Sequence, residues 1–246
     1  CAAASASTAA SFRLMPAALQ HFLPEDAAAR RCGEDGQDAF QWSKPHFACG
    51  LRSLDAEEAR RLLLATATPD PALTIVGSSQ ERNLFYGAAA LLGLPVNRSN
   101  APYHGDISLA DEGVQLRFRW APFAANWTFL DEVLKGSGRG HLVLGSTLWD
   151  CLWGTPLAAW TRALEALPGD LVWLQAPKIE DMLLKPFKRT RMSEAQVQRY
   201  RQAAEEAIGR RALAMLDARA VTASYTLPAD ADGIHYPDVV YRVLAQ

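Results

Sequence analysis

The sequence predicts an α/β fold of three layers, α/β/α, in which a doubly wound, flavodoxin-like sheet of about five mainly parallel strands carries helices on both faces. Two observations predict it. From Asp55 to Ala245, short β-rich apolar runs alternate with helical patterns, and strands separated by helices pair in parallel. The first strong apolar run also ends on a Gly-Ser-Ser turn that opens directly into a helix.

The elements follow in order. Residues 1–30 read as an N-terminal extension or linker, because CAAASASTAASF is rich in Ala and Ser and only Pro16 to Leu23 suggests a short helix. A single folded domain is expected over 31–246. In DAEEARRLLLA, Asp55 to Ala65, acidic residues in the first turn and an apolar face specify a helix whose positive end meets negative charge. TPDPA turns the chain. Leu73 to Val76 is a strand, Gly77-Ser78-Ser79 a tight turn, and ERNLFYGAAALLG a helix. Strand Val114 to Trp120, helix Trp127 to Leu134, strand His141 to Leu144 and helix Pro156 to Leu167 continue the alternation. The chain then reads as strand Asp170 to Leu174, a long amphipathic helix Ser193 to Leu216, a last strand Val221 to Leu227 and a closing helix Pro237 to Ala245.

Composition removes several function classes. The 246 residues carry a formal charge of −2, with 49% hydrophobic and 21% charged residues, so no global field favours nucleic acid. No apolar run reaches the roughly 18 residues of a membrane-spanning helix. Cys1, Cys32, Cys49 and Cys151 are scattered without the spacing of a zinc site, so neither a metal nor a cofactor is expected. The first residue is Cys1 rather than Met, which leaves an upstream targeting segment, anchor or lipid-modified site open.

The chemistry gathers at three residues. Ser79 sits where a buried strand gives way to a helix, at the strand's carboxyl end, where the helix dipole favours a developing oxyanion. A serine hydroxyl needs a base, and the base needs a carboxylate to orient it. Asp232-Gly233-Ile234-His235 supplies both, since an offset of three residues on a loop lets a carboxylate bend back onto its own histidine's Nδ1. Each piece has a plainer reading, the serine as helix N-cap and the histidine as a structural residue. Their joint placement at one end of the sheet favours catalysis. His104, in PYHGD, is the rival base, without a matching carboxylate.

From about Phe40 to the C-terminus the sequence resembles the PC-esterase branch of the SGNH (GDSL-like) hydrolase superfamily, which includes trichome-birefringence-like polysaccharide O-acetyltransferases and the luminal domains of sialic-acid and capsule O-acetyltransferases. Trp42, Pro45, Cys49 and Leu51 are similar to its lead-in segment. LTIVGSSQERN resembles the nucleophile block GDSxxRN, VLGSTLWD the block at the end of a central strand, WLQAPKIEDMLL the Gln-x-Pro strand end, and DGIHYP the terminal DGxH block. The resemblance implies Ser79 as nucleophile, Asp232 and His235 as its partners, and Arg82 and Asn83 as the RN pair at the substrate. Two positions depart from it: Ser78 stands for Asp, and Gly145 stands where many relatives have Asn. Backbone N–H groups of Ser79 and Gly145 are then expected to form the oxyanion hole. A disulfide between Cys32 and Cys49 is implied by luminal relatives, and free thiols, as in a cytosolic relative, are the competing reading.

Trp149 and Trp153 follow Gly145 at a spacing of one helical turn and serve either as core or as aromatic faces for a sugar ring. Arg82 either meets substrate or pairs with Glu81 or Asp150. Lys185, Lys188, Arg189 and Arg191 form a basic run that reads as a solvated loop or a lid over an acidic glycan. Together these readings lead to the expectation of a serine-dependent acetyl esterase or O-acetyltransferase. It would use an acetyl donor and a carbohydrate acceptor in the secretory-pathway lumen, with the Golgi as the compartment the resemblance implies and a cytoplasmic location as the alternative. Ser78 and Gly145 raise a second reading, an inactive glycan-binding scaffold of the same fold.

Overall fold

The computed structural model describes residues 54–65, 72–129, 141–167, 171–209, 212, 214–223 and 225–246. The N-terminal extension, the helix near Pro16, the lead-in residues Trp42, Pro45, Cys49 and Leu51, the Cys32–Cys49 pair and the second half of the expected Trp127 to Leu134 helix lie outside the described residues.

Six strands form one sheet: β1 (Ala72–Gly77), β2 (Ile107–Asp111), β3 (Val114–Trp120), β4 (His141–Leu144), β5 (Val172–Leu174) and β6 (Ala214–Leu216), in the spatial order β2-β3-β1-β4-β5-β6. All neighbours are parallel except β2 and β3. The helices are α1 (Ala56–Ala65), α2 (Ser79–Leu91), α3 (Leu148–Trp153), α4 (Leu157–Glu165), α5 (Pro186–Arg189), α6 (Glu194–Ile208), α7 (Ala218–Thr222) and α8 (Asp238–Ala245).

Strand side chains alternate between two cores, as a period of two requires. Ile75, Val143 and Leu174 face a cluster with Leu84 and Phe85 of α2, Val221 of α7 and Val240 and Tyr241 of α8. Val76, Leu144 and Trp173 face the other way, onto Trp160 and Leu164 of α4 and Ala204 and Ile208 of α6. Strands buried on both faces explain the near-continuous apolar runs in the sequence. Three layers result.

The short helices α3 and α5 are not among those expected, and the described start of the expected Trp127 to Leu134 helix belongs to a 3-10 turn, Ala124–Phe129. Three further elements differ from expectation. The edge strand β2 is additional; it is half exposed, carries little apolar signal in ISLAD, and joins β3 through Glu112 and Gly113 at φ 47° and 83°, a tight hairpin with both central residues left-handed. The expected helix Ser193 to Leu216 stops at Ile208, next to Gly209, and Ala214 to Leu216 pair instead with β5. A run as short as Ala-Met-Leu reads equally as either state. The expected strand Val221 to Leu227 is also replaced: Asp217 accepts the Ala220 N–H at 2.9 Å and starts α7, and Thr222 Oγ1 donates back to the Ala218 carbonyl at 2.7 Å. The cap overrides the β-rich composition.

Candidate active site

Ser79 is the first residue of α2, two residues past the end of β1. The approach is tight. A Cβ on Gly77 would lie 2.3 Å from the Gly145 carbonyl oxygen and 2.4 Å from Glu81 Cγ, so only glycine lets the strand end meet the helix here. Ser78 caps the helix, and its backbone N–H and hydroxyl donate to Glu81 Oε2 at 2.6 and 2.9 Å. A carboxylate at N3 thus reaches back to the cap, half of a capping box. The resemblance implies a carboxylate at position 78; Ser78 stands there, and the carboxylate that meets it is that of Glu81, in the first turn of α2. Burial pushes the Glu81 carboxyl above the ordinary glutamate range, with the Ser78 hydrogen bonds acting in the other direction.

Asp232 and His235 stand on the loop that leads into α8. Asp232 Oδ1 accepts the N–H groups of Ile234 and His235 at 3.0 and 2.9 Å, and its Oδ2 lies 2.7 Å from His235 Nδ1. The other ring nitrogen, Nε2, is 2.7 Å from Ser79 Oγ. Partial burial acts to raise the Asp232 carboxyl, but the hydrogen bonds from the His235 ring and backbone, with the ring's charge, hold it well below the usual carboxylate range. Asp232 is therefore an ionised acceptor at neutral pH. It fixes Nδ1 as the protonated nitrogen and leaves Nε2 as the base facing the serine.

The loop is anchored from two sides. Gly233, at φ 77°, packs so closely on the segment after β5 that an added Cβ would stand 2.7 Å from the Glu180 carbonyl oxygen, and the Glu180 N–H donates to the Gly233 carbonyl at 3.0 Å. Tyr236 Oη donates to the Lys178 carbonyl at 2.9 Å. On the other side Gln80, next to the serine, donates through Nε2 to the Ile234 carbonyl at 3.1 Å and accepts from Tyr241 Oη at 2.6 Å. Gln80 thus ties the helix start that carries Ser79 to the loop that carries His235.

The segment after β5 has its own support. Arg201, fully buried on α6, donates to the carbonyls of Ala176 and Pro177 and pairs with Glu194 at 2.9 Å, while Glu194 Oε2 accepts the Ile179 N–H at 2.8 Å. Burial acts to raise the Glu194 carboxyl, yet its hydrogen bonds to Arg201 and Ile179 and the nearby guanidinium charge keep it below its ordinary value. A buried pair with all its neighbours satisfied fixes geometry.

Gly145 requires a correction. Its N–H donates to the Val76 carbonyl at 3.1 Å, extending the β1–β4 ladder past the end of β4, so it is not free for an oxyanion. Glu81 Oε1 sits 2.3 Å from where a Gly145 Cβ would be, which leaves no room for the side chain of an asparagine. The Ser79 N–H, in the first turn of α2, has no acceptor among the described residues, as expected for a helix start.

The remaining residues separate into two groups. Arg82 pairs with neither Glu81 nor Asp150; it donates to the Tyr103 carbonyl, and its guanidinium lies 5.3 Å from the Tyr103 ring and 5.8 Å from that of Trp120. Trp149 meets the rings of His104, Trp120 and Phe123 at 5.6, 5.7 and 5.6 Å. His104 stacks on Trp120 at 4.3 Å, so it belongs to this aromatic cluster and not to a proton relay. Trp120 is paired with Gly77 in the sheet, which puts the cluster beside the serine turn. Asn83, in contrast, approaches the Tyr241 hydroxyl and belongs to the scaffold between α2 and α8. Trp153 lies exposed, away from that cluster. Gln80 and Glu81, the residues that join the parts of the site, were passed over in the sequence because they occupy the unspecified positions of the nucleophile block.

A hydroxyl, an imidazole and a carboxylate in this series can pass a proton from Ser79 to His235 and stabilise the resulting charge, which is the arrangement that acyl transfer needs. Among the described residues no group of three or more His, Cys, Asp or Glu side chains is placed to hold a metal ion, and no helix is long and apolar enough to cross a membrane. No protein-family model and no curated protein matches the chain. Among solved structures it is similar to a lipase/acylhydrolase from Enterococcus faecalis, at 16% identity and a TM-score of 0.48 over 71% of this chain and 90% of that one.

Proposed function

We propose that this chain is an SGNH-type serine esterase or O-acetyltransferase that works through an acyl-Ser79 intermediate. The observation that carries the reading is the continuous series Ser79 Oγ, His235 and Asp232, with both contacts at 2.7 Å, at the carboxyl end of a parallel sheet.

Ser79 Oγ attacks the ester carbonyl carbon while its proton passes to His235 Nε2, and the imidazolium is stabilised by ionised Asp232. The oxyanion of the tetrahedral intermediate is met by the Ser79 N–H and the positive end of α2. Collapse breaks the bond to the leaving alcohol, which takes the proton from Nε2. Water or a sugar hydroxyl then gives a proton to the same nitrogen as it attacks the acyl-serine, and the second collapse restores Ser79.

With the Gly145 N–H engaged, the hole has fewer donors than the resemblance implies. Loss of one donor costs about 10² to 10³ in rate, so slow turnover is expected. A glycan acceptor and an acetyl donor are favoured by the PC-esterase resemblance and by the aromatic cluster of His104, Trp120 and Trp149 beside the serine turn, whose ring faces suit the apolar faces of a sugar. The test is labelling by a fluorophosphonate together with turnover of p-nitrophenyl acetate, comparing the native chain with Ser79→Ala. Labelling and turnover that vanish in the variant support the reading; a folded native chain that shows neither supports the glycan-binding scaffold. Transfer of labelled acetyl to an added oligosaccharide separates transferase from esterase.

A further inference from the structure

A cavity of about 490 Å³ opens between α3, the start of α4 and the first turns of α6. That volume is in the range of small-molecule sites. Since α6 leads into β6, its first turns lie at the carboxyl end of the sheet, the same end as Ser79. Ser79 and the triad loop are not part of its wall.

The wall has two characters. Trp153, Leu157 and Tyr200 supply apolar and aromatic surface, and the Trp153 ring is 61% exposed, unusual for a side chain of that size. Arg191 and Arg199 both belong to the lining, with no acid in it and no ion-pair partner for either among the described residues. Of the acids nearby, Glu194 is paired with Arg201 and Arg219, while Asp150, held by the Ala124 N–H and the hydroxyls of Ser146 and Thr155, stands behind the wall as a single carboxylate against the two arginines. The two weakly acidic groups in the wall stay neutral, since burial pushes the Cys151 thiol and the Tyr200 hydroxyl each up to about 12. Positive charge in this cavity is therefore not cancelled from within.

We propose that this cavity binds a small ring-bearing anion, its phosphate or carboxylate held by Arg191 and Arg199 and its ring lying against Trp153 and Leu157. Paired guanidinium groups match such oxyanions with charge-assisted hydrogen bonds, and an exposed indole gives the ring a face to cover. The site is independent of acyl chemistry at Ser79.

Calorimetric titration of the full chain with phenyl phosphate, benzoate, inorganic phosphate and phenol tests it. Phenyl phosphate or benzoate is expected to bind more tightly than inorganic phosphate or phenol, the tighter of the two naming the head group. Replacing both arginines, Arg191→Gln with Arg199→Gln, is expected to weaken that binding at least about ten-fold, and Trp153→Ala by about three- to ten-fold. Ser79→Ala is expected to leave it unchanged. Both arginines are exposed, so the double variant should fold, which its thermal transition verifies. Binding that survives the double arginine change, that is lost in Ser79→Ala, or that is undetectable up to roughly 10 mM of either ring-bearing anion overturns the proposal.

Discussion

Two residues after Ser79, the carboxyl group of Glu81 is buried. Glu81 is only 4% exposed, and burial raises its proton affinity in the folded chain above that in the unfolded one. The native state then binds the proton more tightly, so the stability tied to this group is full below the ordinary glutamate value of 4.5 and is lost as pH rises toward the folded-state value. Glu81→Gln keeps the acceptor for Ser78 and carries no charge. Thermal unfolding followed from pH 4.5 upward is expected to show the variant gaining stability relative to the native chain as pH rises; parallel curves would contradict this. The triad residues give a different signature. Ser79→Ala is expected to remove p-nitrophenyl acetate turnover by at least about 10⁴, and Asp232→Asn to lower kcat by about 10² to 10⁴ with little change in KM, because the amide no longer fixes the imidazole tautomer.

At the scale of elements, the site depends on the joint between α2 and the loop before α8. Gln80 is the joint, taking the Ile234 carbonyl with its amide nitrogen and the Tyr241 hydroxyl with its oxygen. Gln80→Ala takes away the acceptor for that hydroxyl's proton and the donor to that carbonyl, at about 1 to 3 kcal/mol of stability, and lets His235 shift against Ser79. A displacement near 1 Å costs about 10²-fold in rate, so kcat and the rate of fluorophosphonate labelling are expected to fall together while Ser79 remains labelled. Equal labelling rates would show that Gln80 does not position the base. This joint was illegible in the sequence because nothing in the spacing of Gln80, Ile234 and Tyr241 reports that they meet. The serine turn and the Asp232–His235 loop were legible for a local reason: a continuous apolar strand ending on glycine, and a carboxylate three residues before its own histidine. Strand β6 and helix α7 were misread because three apolar residues, or five residues governed by a cap, fall below the length at which periodicity separates helix from strand. The misreading moved the last strand by a few residues and left the carboxyl-end position of the loop unchanged.

Across the whole molecule, one half of the sheet carries the nucleophile and the other carries the support for the base. Ser79 follows β1, whereas the Asp232–His235 loop rests on the segment after β5, held by Arg201 and Glu194 of α6. Removing Glu194, which is partly exposed, takes the carboxylate from the buried Arg201 guanidinium while its bonds to the Ala176 and Pro177 carbonyls remain. Glu194→Ala is expected to destabilise the chain by about 1.5 to 3 kcal/mol by chemical denaturation, and a change within about 0.5 kcal/mol would contradict a supporting role for the pair. The layered architecture itself was legible throughout the sequence, since strands buried on both faces must read as apolar runs between amphipathic helices. What the pattern could not convey is the use of each backbone donor, as Gly145 illustrates: its N–H completes a ladder bond to Val76. The central claim is that Ser79 is an activated nucleophile, and the most direct measurement is the mass of the chain after a fluorophosphonate, with the adduct located by peptide mapping. The account predicts one phosphonyl group on Ser79, absent in Ser79→Ala and strongly slowed in His235→Ala; an unmodified native chain, or an adduct on another residue, would contradict it.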